Sequence, residues 1–123
     1  MNAIDQAVES SGRTPDAVLS GHVHNYQRFS RRVGARKIPY VVAGAGGYAN
    51  DARSMHKLQP ELTAPTVALP YATTMAGVML ESYEQEEPGL LRVTVDAKKL
   101  LFEYFRVPFG GTLEAEAFDT FTA

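Results

Sequence analysis

Gly77-Val-Met-Leu-Glu-Ser-Tyr83, Leu90-Leu-Arg-Val-Thr-Val95 and Leu100-Leu-Phe-Glu-Tyr-Phe-Arg-Val107 are three apolar runs separated by two polar stretches, residues 84–89 and 96–99. Leu91, Val93 and Val95 alternate with polar neighbours, the period-two pattern of a half-buried strand. The spacing predicts three strands in an antiparallel meander. The last run is apolar on both faces: Leu100, Phe102 and Tyr104 point one way, and Leu101, Phe105 and Val107 the other. Such a strand needs cover on both sides, which implies a sandwich or a missing layer.

Upstream, Tyr26–Val33 alternates loosely and reads as a strand, Gly34 as a turn, and residues 38–43 as a second, β-branched strand. Residues 16–20 read as a short buried strand. Ile4, Ala7 and Val8 fall at i, i+3 and i+4, which predicts a short N-terminal amphipathic helix. Gly12 stands where such a helix ends, and Pro15 prevents its continuation. Residues 48–72 hold Pro60, Pro65 and Pro70 and read as a long loop, with a helical turn expected around residues 52–58. Phe118 and Phe121 mark a short edge strand in the tail. The expected fold class is α+β, mainly antiparallel β-sheet with one N-terminal helix, part of a β-sandwich.

Composition narrows the function. The chain has 123 residues, 45% hydrophobic and 21% charged, which suits one folded domain and not a disordered chain. The net charge of −2 argues against a nucleic-acid footprint spread over the chain. The absence of cysteine excludes disulfides, thiolate metal sites and cysteine nucleophiles. No apolar run approaches 18 residues, so no membrane partner is expected. There is no signal-peptide pattern, so the compartment stays open, cytoplasmic if the chain is a complete product.

The chemistry-bearing segment is Gly21-His22-Val23-His24-Asn25-Tyr26-Gln27-Arg28. Histidines at i and i+2 point the same way in an extended backbone, within reach of one cation or two adjacent ones. Neutral imidazole is a common ligand of zinc and iron. The same spacing also occurs as an ordinary polar pair. Two other signals are weaker. Gly44-Ala-Gly-Gly-Tyr-Ala49 fits a dinucleotide fingerprint but lacks the following strand and acidic residue, so it reads as a strand-end turn. Arg28, Arg31, Arg32, Arg36 and Lys37 form a basic cluster that reads as a solvated hairpin face.

The segment resembles the last motif of the calcineurin-like metallophosphoesterases, in the purple-acid-phosphatase-like branch, where it runs Gly-His-Val-His-x-Tyr-Glu-Arg. Only Gln27 departs, where the family has Glu. The lead-in Thr14-Pro-Asp-Ala-Val-Leu-Ser20, the strand ending in Gly44-Ala-Gly-Gly47 and the ending Phe118-Asp-Thr-Phe-Thr122 are similar too. The resemblance implies phosphoester hydrolysis at a binuclear centre of Fe, Zn or Mn ions, with His22 ligating one metal and His24 the other. Asn25, Tyr26 and Arg28 would hold the loop from behind the histidines.

The family's Asp-x-His, Gly-Asp-x-x-Asp and Gly-Asn-His motifs and its lone upstream histidine are absent from the sequence. His56 lies in no family motif, and Asp16, Asp51, Asp96 and Asp119 are scattered. Two imidazoles cannot hold two divalent cations. Residues 1–123 are therefore expected to be a single partial domain, the C-terminal segment of a four-layer α/β/β/α phosphoesterase, contributing most of one sheet. Alone it should be inactive, the full metal complement being held only by the complete enzyme, and it should cover its half-core by dimerising with a second copy. The alternative is a non-enzymatic assembly or binding module with a vestigial or dimer-shared histidine pair.

Overall fold

Ile4, Ala7 and Val8 share one side of helix α1 (Asn2–Ser11) in the computed structural model, which describes residues 2–47, 68–110 and 114–123. The Gly12 amide donates to the Val8 carbonyl at 2.9 Å with φ +64°, a left-handed helix end that favours glycine. Strand β1 (Val18–Ser20) follows, and then the hairpin of β2 (Tyr26–Val33) and β3 (Arg36–Ala43) around Gly34. The short β4 (Tyr71–Ala72) leads to β5 (Val78–Glu84), and then come β6 (Gly89–Val95), β7 (Leu100–Arg106) and β8 (Glu116–Thr122).

These strands build two sheets. The first has the order β1-β3-β2-β5-β4, with β1 parallel to β3 and the remaining pairs antiparallel. The second is antiparallel in the order β6-β7-β8. The chain is thus mainly β with a short helix. The described residues form two sheets, where the sequence expectation was most of one.

The meander is corrected as well. Strands β6 and β7 pair as expected, but β5 pairs with β2, from Tyr26 opposite Glu84 to Arg31 opposite Val78. The intervening turn is held by the Glu84 carboxylate, which accepts the amides of Glu86 and Glu87 at 2.8 and 3.3 Å. The chain then passes to the other sheet, where the Gly89 amide donates to the Ala45 carbonyl at 3.1 Å. Alternation specifies that a segment is a strand, but not which strand it pairs with.

Smaller differences have local causes. Strand β1 is half-buried to exposed because it is an edge, with no second neighbour among the described residues. Strand β3 begins two residues earlier than the apolar run, at Arg36, because Arg36 and Lys37 still pair with Val33 and Arg32. Pro39 is tolerated in β3 because β1 pairs only with Tyr40 to Val42, leaving Pro39 at an open edge. The tail strand is seven residues long and pairs along β7. The helical turn expected at residues 52–58, and Pro60 and Pro65, lie outside the described residues.

One buried cluster lies between the sheets, and a second, around Leu80 with Phe29, Tyr71 and Tyr83, lies on the other face of the first sheet. Tyr26, Val41 and Tyr104 are buried together, with Leu91 and Phe121 packed against them. Tyr26 stacks on Tyr104 with ring centroids 3.9 Å apart, and Phe118 meets both rings edge-on. A β-bulge permits this arrangement. Tyr104 pairs with Asp119 and Phe105 with Ala117, so Phe118 is the extra residue of β8. The helix lies on the opposite face of the first sheet, where Asp5 pairs with Arg31. An open groove of about 570 Å³ runs along α1, lined by Ala3, Ile4, Ala7, Val8 and Pro15. The inter-sheet face is incompletely covered: Leu19 is 53% exposed and Val95 70%.

Candidate metal-ligand loop

Residues 21–25 form an irregular loop between β1 and β2, not an extended strand. His22 and His24 therefore do not sit as an i, i+2 pair on an extended strand, which corrects the sequence expectation. His22 is exposed and has φ +75°, the left-handed region. His24 is half-buried and partnered. The Asn25 amide donates to the Val23 carbonyl at 2.8 Å, closing a three-residue turn across His24.

The loop is built from below. Asn25 is fully buried, and its side-chain oxygen accepts from Gln27 Nε2 at 2.9 Å. Its carbonyl accepts the Gly44 amide at 3.0 Å. Gln27, where the resembled family has Glu, is 3% exposed and thus part of this buried polar floor. The Gly44-Ala-Gly-Gly47 turn lies against the loop, as a strand-end turn would. Tyr48 and Ala49 of the same pattern fall outside the described residues.

Tyr26 and Arg28 point from β2 into the space between the sheets. Tyr26 Oη donates to Asp119 Oδ2 at 2.8 Å, and Arg28 grips both Asp119 oxygens at 2.7 and 3.1 Å. The Arg28 guanidinium also lies over the Phe121 ring, 4.6 Å from its centroid. Burial pushes the Asp119 carboxyl up, but hydrogen bonds from Arg28 and Tyr26 outweigh it and hold the group below the usual carboxylate range. Burial, then the bond to Asp119, raises the Tyr26 phenol. Tyr26 and Arg28 therefore fasten the sheets together directly behind the loop.

Asp119 is the residue that sequence reasoning missed, since 91 positions separate it from Arg28. Only the Phe-Asp-Thr-Phe tail hinted at it. Asp16 instead pairs with Arg36, and Asp96 caps its own turn by accepting the amides of Lys98 and Lys99. Asp51 and His56 lie outside the described residues. The basic cluster is largely neutralised: Arg28 by Asp119, Arg31 by Asp5, Arg36 by Asp16 and Lys37 by Glu81.

Among the described residues, no group of three or more His, Cys, Asp or Glu side chains could hold a metal. The two imidazoles suit part of a transition-metal site, whereas a catalytic zinc site takes three protein ligands. Among the same residues, no helix is long and apolar enough to cross a membrane. The chain matches no family model, no curated protein and no solved structure.

Proposed function

We propose that this chain carries the last ligand motif of a metal-dependent phosphoesterase, with His22 and His24 as its metal-binding side chains. The observation that carries this reading is the backbone of His22. A non-glycine residue at φ +75° costs on the order of 1–3 kcal/mol and persists only where its surroundings impose it. Here it falls in a two-histidine loop at the end of a strand, over a buried Asn25–Gln27 floor. Strand ends are where α/β enzymes gather their ligands.

On this reading the two sheets and α1 are part of the four-layer phosphoesterase fold. Tyr26, Arg28 and Asp119 keep the loop's base rigid, while Asn25 fixes its lower side. Bound iron, zinc or manganese would supply Lewis-acid polarisation of a phosphoester and a water nucleophile near neutral pH. The remaining ligands must come from outside the described residues, so the described residues alone complete no catalytic centre.

Calorimetric titration with Zn²⁺ tests the ligand assignment. Binding should be measurable for the native chain and at least tenfold weaker in both His22→Ala and His24→Ala. Native affinity in both variants would refute it. The coding sequence upstream of Met1 provides a second test, because in-frame Asp-x-His and Gly-Asn-His motifs would supply the missing ligands. Rapid turnover of a chromogenic phosphomonoester by the 123-residue chain alone would contradict the incomplete centre.

A further inference from the structure

The loop holding His22 and His24 is in contact with one particular glycine. A Cβ placed on Gly44 would lie 2.0 Å from the Val23 carbonyl oxygen and 2.9 Å from its carbon. Both neighbours are backbone, so the contact cannot be relieved by turning a side chain. The φ of Gly44 is not in the left-handed region, so the requirement here is space and not conformation. By contrast, a Cβ on Gly21 or Gly46 would meet nothing within 4 Å.

Val23 is the residue between the two histidines. Its carbonyl accepts the Asn25 amide at 2.8 Å, and the Gly44 amide donates to the Asn25 carbonyl at 3.0 Å. Gly44 therefore touches the middle of the loop and hydrogen-bonds its far end. Pushing the Val23 carbonyl outward would rotate the peptide between Val23 and His24. It would also release the turn across His24 and disturb the left-handed backbone at His22.

We infer that Gly44 is a positioning residue for the His22–His24 loop, fixing the backbone that carries both imidazoles by its close approach to Val23. This rests on the ligand reading above. The arrangement ties the end of β3 to the loop, so metal binding and the Gly44 contact are linked reciprocally.

The test compares Gly44→Ala with Gly46→Ala, using Zn²⁺ affinity and the visible spectrum of bound Co²⁺ as readouts. Gly44→Ala should weaken Zn²⁺ binding about 10–100-fold, the usual effect of disturbing groups behind a ligand, and alter the Co²⁺ spectrum. Gly46→Ala should bind like the native chain. A second measurement needs no variant: saturating Zn²⁺ should slow hydrogen exchange of the Gly44 amide at least tenfold while leaving the Gly34 amide unchanged. This measurement decides the matter if Gly44→Ala does not fold. Unchanged Gly44 exchange, or native Zn²⁺ affinity in a folded Gly44→Ala, overturns the positioning role. Native affinity in His22→Ala and His24→Ala would overturn the ligand reading and this inference together. Loss of binding in the histidine variants with native binding in Gly44→Ala would remove the positioning role alone.

Discussion

Replacing Asp119 with alanine should destabilise the chain more than any other single change on β8. The side chain accepts hydrogen bonds from Tyr26 Oη and from two nitrogens of Arg28. Its removal leaves a guanidinium whose side chain is only 20% exposed without its counter-ion, and a fully buried phenol without an acceptor. Breaking a buried ion pair from one side costs about 3–5 kcal/mol. The remaining water access to Arg28 favours the lower part of that range, and the orphaned Tyr26 hydroxyl raises it again by about 1 kcal/mol.

A loss of about 4 kcal/mol is a large share of the 5–15 kcal/mol typical of a folded domain. With a urea dependence of about 1.5 kcal/mol per molar, the unfolding midpoint should fall by roughly 2–3 M. Asp119→Asn keeps an acceptor but not the charge and should lose about half as much. A double-mutant cycle with Arg28→Met should show a coupling of about 1–3 kcal/mol. An Asp119→Ala midpoint within about 0.5 M of native would refute the inter-sheet clamp.

The clamp also sets an acid dependence. The Asp119 carboxyl is held below its ordinary value when folded, so the unfolded chain takes up its proton first. Its stabilisation is complete above the unfolded value of about 3.9 and is lost as pH falls through the lower folded value. Urea titrations from pH 6 downward should show native stability falling in that range, with a shallower fall in Asp119→Asn. Tyr104 gives a contrasting case. Its hydroxyl is buried without a partner among the described residues, and burial, then the nearby Glu84 charge, pushes its pKa up to about 12. Tyr104→Phe should therefore be neutral or stabilising by up to about 1 kcal/mol in thermal melts, and a loss above 2 kcal/mol would contradict the orphaned hydroxyl. Exposed Leu19 and Val95 on the inter-sheet face motivate the proposed dimer. Sedimentation should show a concentration-dependent dimer that Leu19→Lys with Val95→Lys converts to monomer, whereas a native monomer at micromolar concentration would refute it.

Much of the local structure was legible in the sequence. The helix ends at Gly12, the β2–β3 hairpin turns at Gly34, and β6 and β7 pair, as local patterns require. The fold-level misreading had a specific cause. Strand β5 looked like the first arm of a meander, but Glu84 folds the following turn back on itself and sends the chain to another sheet. The bulge at Phe118 left no periodic signature, yet it sets Phe118 edge-on against the Tyr26 and Tyr104 rings and lets Asp119 meet Tyr26.

The candidate site divides in the same way. The sequence by itself supplied the candidate donors, because histidine chemistry and the two-residue spacing of His22 and His24 are properties of a short segment. It also determined the approximate strands that flank them. Only the tertiary structure decided that the pair lies on a bent loop, that Gly44 packs against its centre, and that Asp119 fastens Tyr26 and Arg28 from another sheet. The physical reason is range. Backbone propensity and alternation act over a few neighbouring residues, whereas a steric contact and a buried ion pair depend on segments that only folding brings together.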